Sequence, residues 1–222
     1  MKKNFYFLFL IISNFCFSQK YEFDLLSKYS SSDSKHKNIY ETVSYNNTDD
    51  FSYHLKLNKT EQIFSAELSD YTRNLVHHFA VEESKEKGQI QFQFKYLNTS
   101  KVQVANKLKN YRYEFSDIST DSQKIVQLKI FSSKNSKNPM AEKIFNLEKA
   151  NKNLIPIFSS NFLHFYADST NVSNLGNYIV SKSVEKSKNN SCEIVLKDYK
   201  TVALEIILPD KLTYSSMKIT YN

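Results

Sequence analysis

Two glycines, three prolines, two cysteines and no tryptophan in 222 residues leave several protein classes without their raw material. Phosphate-cradling loops and dinucleotide fingerprints need clustered glycines, and Gly88 and Gly176 stand far apart. The same scarcity excludes collagen-like and Gly-rich linker architectures. Two cysteines and five histidines do not make a zinc ribbon or a disulfide scaffold. Arginine is nearly as rare: Arg73 and Arg112 are the only two, so almost all of the positive charge is lysine. Bidentate reading of guanine or phosphate favours arginine, and the lysines are interleaved with acids, as in Glu83, Lys85, Glu86 and Lys87. No nucleic-acid partner is expected, in spite of a formal charge of +7. An apolar content of 41% is too high for a disordered chain.

The N-terminus carries the clearest single pattern. Lys2 and Lys3 precede an unbroken apolar run, Phe5 to Ile12, and the chain turns polar from Ser13 to Gln19. A bilayer core needs about 20 apolar residues, so the run is too short to span one. The three regions resemble a bacterial secretory signal, with cleavage after Ser18 or Gln19. Phe15 is too bulky for a lipid attachment site at Cys16. The expected organisation is a signal peptide over residues 1–18, a polar N-terminal segment over 19–38, and a single β-rich domain over 39–222. The expected location is the periplasm, the cell envelope or the extracellular space. Cleavage leaves Cys192 as the lone cysteine, a small hydrophobe buried in a strand with Ile194 and Leu196 on its own face.

Period-2 alternation dominates the rest. Phe51, Tyr53, Leu55 and Leu57 share one face. Leu75, His77, Phe79 and Val81 share another. Ile90, Phe92, Phe94 and Tyr96 alternate with Gln89, Gln91, Gln93 and Lys95. Tyr111, Tyr113 and Phe115 alternate too, and the fuller apolar run Lys124 to Phe131 reads as a central strand. Tyr178 to Val184, Cys192 to Tyr199 and Val202 to Leu208 read as an antiparallel meander, with Met217, Ile219 and Tyr221 on a last edge strand. With so little glycine, Asn46-Asn47 and Asn189-Asn190 are the expected turn residues. Residues 30–38 and 133–139 read as loops. One helical stripe stands out: Phe158, Phe162 and Phe165 beside Tyr166, with Ser160 as N-cap of a helix ending near Asp168. The predicted fold is mainly β: a single antiparallel, curved sheet or sandwich of about eight strands with one short helix.

Chemistry-bearing residues do not gather. His77 and His78 are adjacent, and neighbours in a strand point to opposite faces, so the pair cannot chelate one metal; Asp70 or Glu82 would have to complete a site around either. There is no Gly-x-Ser-x-Gly elbow. Asp49-Asp50 and Glu82-Glu83 read as solvated charge at loop or strand ends. Five Asn-x-Ser/Thr sequons, at Asn46, Asn58, Asn98, Asn171 and Asn189, match what this composition gives by chance. The sequence thus assigns no catalytic residue, no metal ligand and no cofactor, and it leaves the ligand-binding residues unknown. The functional expectation is an exported, non-enzymatic β-sheet protein, not membrane-spanning, that binds a lipid or other apolar ligand, a peptide or an envelope protein. One alternative is a secreted hydrolase whose site assembles only in three dimensions, recognised by a His within reach of both a Ser and a carboxylate in a cleft. Another is a structural envelope component with exposed sheet edges. A helix of about three turns cannot cover a sheet of eight strands, roughly 35–40 Å wide, so an apolar groove beside the helix is the expected ligand site, as in half-barrel carriers.

Overall fold

Strand after strand in this chain alternates buried and exposed residues, and hydrogen bonding along those strands assembles one sheet. The computed structural model describes residues 19–33, 39–60, 63–86, 89–104, 111–163, 175–187 and 190–221. Its strands are β1 (Lys20–Asp33), β2 (Ile39–Asn46), β3 (Tyr53–Lys59), β4 (Phe64–Asp70), β5 (Leu75–Glu86), β6 (Gln89–Val104), β7 (Arg112–Asp117), β8 (Lys124–Phe131), β9 (Ala141–Lys149), β10 (Tyr178–Ser187), β11 (Asn190–Ile207) and β12 (Tyr214–Tyr221). Among the described residues one helix, α1 (Ile155–Phe162), interrupts them. The sheet is open, twelve-stranded and mostly antiparallel, in the order β12-β6-β5-β4-β3-β2-β1-β11-β10-β9-β8-β7. Two local meanders, β1 to β6 and β7 to β11, are joined where β1 pairs with β11. The last strand, β12, runs parallel to β6.

Cross-strand partners share a face, so the register sorts side chains onto two sides. On the side that carries α1, the β7–β11 half is apolar. Val126, Phe145 and Ile194 follow one another across β8, β9 and β11, and Phe158 of the helix packs on them with Tyr29 of β1. Phe158 meets Tyr29, Phe145 and Phe162 ring to ring, at centroid separations of 5.7, 5.6 and 4.9 Å. On the same side the β1–β5 half is polar: Ser27, Ser44, Asn46, His54 and Ser69 are buried there. Most of its apolar residues face the other way, where Tyr45, Leu55, Leu57, Ala66, Leu68, Phe79 and Val81 form a second core with Tyr21 and Phe23. The β1–β11 register shifts between Phe23 and Leu25. There β1 changes company, since Leu25 packs with Leu154 and Ile157 whereas Phe23 meets Tyr45 and Tyr53. A bulge re-aims side chains in this way.

The mainly β fold with one short helix is as the sequence predicts, in single-sheet form. The details correct several expectations. Twelve strands replace about eight. Within the segment 19–38, Lys20–Asp33 is a central strand, held by β2 on one side and β11 on the other, and residues 34–38 lie outside the described residues. Cys192 to Leu208 contains no turn, because β11 runs unbroken to Ile207 with a bulge near Thr201. The apolar run of β8 is not central but second from the edge, buried by the helix. The helix begins earlier than its aromatic stripe indicates. Pro156 fits its first turn, where a missing N–H is harmless, and Asn153 Oδ1 accepts the Ile155 N–H at 3.1 Å. Ser160 is therefore mid-helix, and its hydroxyl donates to the Ile157 carbonyl. Phe165, Tyr166 and Asp168, the expected signal segment 1–18, and Asn171 and Asn189 lie outside the described residues. Asparagine does serve in turns: Asn74 holds φ at +54°, and Asn47 Oδ1 accepts the N–H groups of Asp49 and Asp50.

Candidate functional site

The C-terminal turn of α1 leans over the polar half of the sheet and leaves a cleft of ≈ 300 Å³. Its walls are mixed. Leu75, Val76, Val102, Phe162 and Leu163 are apolar, while His54, Lys56, Glu67, Ser69, Tyr71 and Asn161 are polar. Strands β3, β4, β5 and β6, the turn between β4 and β5, and the helix each contribute. Two hydrogen bonds tie helix to sheet here: Tyr71 Oη donates to the Ser160 carbonyl at 3.1 Å, and Asn161 Nδ2 donates to Ser44 Oγ at 3.0 Å. Leu163 also lines a small apolar void under the helix, beside Phe115, Phe145, Phe158 and Val180. The cleft therefore adjoins the helix-side core. A cleft does lie beside the helix, where the sequence leads one to expect an apolar groove, but its lining is mixed rather than apolar.

His54 is 5% exposed and stacks on Tyr71, whose hydroxyl lies 3.0 Å from its Nδ1. Burial, and then the nearby Lys56 charge, push it down to about 4, so the ring is neutral at physiological pH. Lys56 and Glu67 are cross-strand neighbours on the cleft side. A different buried network lies on the other side of the sheet. Tyr21 Oη donates to Asp70 Oδ2 at 2.7 Å, Arg73 donates to the same oxygen at 2.9 Å, and His77 Nδ1 lies 2.8 Å from Thr99 Oγ1. Burial drives His77 down to about 4 as well. This network pins β1 to the β4–β5 turn and β6.

His77 and His78 do face opposite sides. His78 Nε2 lies 2.9 Å from Ser100 Oγ, and its Nδ1 lies 3.7 Å from Glu67 Oε1. The order of groups is that of a hydrolytic triad, but the carboxylate stands beyond hydrogen-bond distance. Ser100 is 2% exposed and sits mid-strand opposite Val76, not on a sharp turn that presents a nucleophile. Cys192 is half-buried against the helix-side core rather than fully buried, and burial raises its thiol pKa. Asp49 reaches Lys152 and Glu83 reaches Lys59, each in an exposed pair, while Asp50 Oδ1 accepts the Ser52 N–H. Arg112 covers the Phe131 ring at 4.0 Å. Among the described residues no helix is long and apolar enough to cross a membrane. Sequence reasoning missed His54, Tyr71 and Asn161 as a group, because they come from three elements separated by up to about a hundred residues.

No family model and no curated protein matches the chain. Three solved structures align with it over most of both lengths. A LolA superfamily protein from Nitrosomonas europaea is 10% identical, with 82% of this chain and 87% of that one covered and a TM-score of 0.32. A putative outer membrane lipoprotein-sorting protein domain from Vibrio parahaemolyticus is 11% identical, with 80% and 85% covered and a TM-score of 0.24. A DUF1329 family protein from Desulfovibrio piger is 7% identical, with 88% and 91% covered and a TM-score of 0.26. Scores this low carry no argument, so the functional reading rests on the cleft itself.

Proposed function

We propose that the protein is an exported, non-enzymatic carrier that holds a single-chain amphiphile in the cleft between α1 and the sheet. The observation that carries this reading is the cleft's mixed lining. Apolar walls from Val76, Val102, Phe162 and Leu163 suit an alkyl chain, and the polar rim from His54, Lys56, Glu67 and Asn161 suits a head group. Ligand pockets commonly combine an apolar lining with a few placed polar groups, from about 300 Å³ upward. Export to the envelope is part of the proposal and rests on the run Phe5 to Ile12 behind Lys2 and Lys3.

The test is extraction of the purified protein into organic solvent together with displacement of a fluorescent fatty acid. Co-purified lipid or saturable probe binding is expected, with Val102→Trp filling the cleft and weakening it. A folded sample with neither property refutes the carrier.

The hydrolase reading keeps one specific observation, the Ser100–His78–Glu67 arrangement. Burial of Ser100 leaves its hydroxyl without access to a substrate. A fluorophosphonate probe should leave the native protein unlabelled; stoichiometric labelling lost in Ser100→Ala would favour the enzyme.

A further inference from the structure

The hydrogen bonds at the helix end constrain what kind of head group the cleft accepts. Tyr71 has one hydroxyl proton, and it goes to the Ser160 carbonyl, which can only accept. His54 Nδ1, at 3.0 Å from the same hydroxyl, must then carry the ring proton and donate. That fixes the neutral tautomer and leaves Nε2 as a bare acceptor; among the described residues no side-chain donor bonds it. Asn161 is oriented by the same logic. Its Nδ2 donates to the Ile157 carbonyl at 2.8 Å and to Ser44 Oγ, so the amide cannot be flipped. Its Oδ1 is then a buried acceptor without a partner among the described residues. The Ser160 hydroxyl spends its proton on Ile157 as well, leaving only lone pairs.

The spare hydrogen-bonding capacity of His54, Ser160 and Asn161 is thus of one kind. A carboxylate or phosphate placed there would meet further lone pairs and lose its hydration without N–H compensation. Lys56 does not reverse this, because Glu67 stands directly opposite it on the same face. A hydroxyl has what the site lacks. Supplying it relieves the cost of leaving a buried acceptor unpaired.

On the basis of the carrier reading, we infer that the cleft selects an amphiphile with a neutral, hydroxyl-bearing head of the glycerol-monoester class over an anionic one. The full chain is titrated with a monoacylglycerol and with the ionised fatty acid of the same chain length, each displacing the same fluorescent probe. The monoacylglycerol should bind more tightly by about tenfold, the value of one to two hydrogen bonds. Asn161→Leu and His54→Phe should each erase much of that preference by weakening the monoacylglycerol more than the fatty acid. Thermal unfolding confirms that each variant is folded, and either one suffices if the other is not. Equal or tighter binding of the fatty acid overturns this inference alone, as does a preference that survives in a folded variant. No saturable binding of either ligand overturns the carrier reading and this inference with it.

Discussion

The two halves of the sheet solve the same burial problem differently. In the β7–β11 half the face beneath the helix is apolar, and Phe158 seals it against Tyr29 and Phe145. In the β1–β5 half the same face is polar, and the apolar residues gather on the reverse side around Leu55, Leu68 and Phe79. The helix thus has a core under its middle and a polar floor under its end. A cleft forms at that change of character: apolar packing has stopped, and Tyr71 and Asn161 hold the helix end by two hydrogen bonds. One side of a sheet can therefore be structural along half its width and available to a ligand along the other half.

The sharpest way to break this contrast is Phe158→Ala. Its side chain is 1% exposed and touches three rings, so about 3–5 kcal/mol of stability should go, read by urea unfolding. A loss under 1 kcal/mol would mean that the helix does not seal that half.

Acid should act next, through both polar networks. His54 and His77 are each held down to about 4, against 6.5 when unfolded. Between those values the unfolded chain binds more protons, so stability falls as pH drops from 6.5 toward 4 and is flat above it on their account. The combined effect is on the order of a few kcal/mol. Thermal unfolding against pH measures it, and a flat profile across that window contradicts the burial of the two rings.

Tyr21→Phe removes the 2.7 Å bond to Asp70 and should cost about 1.5–3 kcal/mol, because the acceptor is a buried carboxylate. The smallest effect belongs to Tyr71→Phe, about 1 kcal/mol. Its value lies in where the loss appears: amide exchange should quicken over residues 155–163 and not in β3 to β5. A uniform increase would show that the helix end is not separately anchored.

The β6 alternation of Phe92, Phe94 and Tyr96 with Gln91, Gln93 and Lys95 is plain in the sequence, because that strand has an apolar side and a wet side. β1 and β2 are illegible for the reason that makes the cleft. Their cleft-side residues, Ser27, Ser44 and Asn46, are buried but polar, so Ser30 to Ser32 look like loop and Asn46 like turn. The helix declares itself through Phe158 and Phe162, and its start lies in Pro156, a cue weaker than the aromatic stripe. The site is harder still. His54, Tyr71 and Asn161 have no common spacing, and only the pairing of β3 with β4 and the helix crossing bring them together.

The β1–β11 seam also sets a timetable. Lys20 pairs with Ile207, so one edge of the first strand waits for almost the last one. Each meander closes through pairings of strands that are neighbours in sequence, mostly hairpins, and forms on its own schedule, while the seam must close a loop nearly as long as the chain. Such distant pairings are slow, and the waiting edge of β1 is open to wrong partners in the meantime. Refolding should therefore show a late phase in which Tyr29 and Phe158 come together after the hairpins have formed. A chain of this topology that crosses a membrane unfolded would meet that hazard each time it emerged.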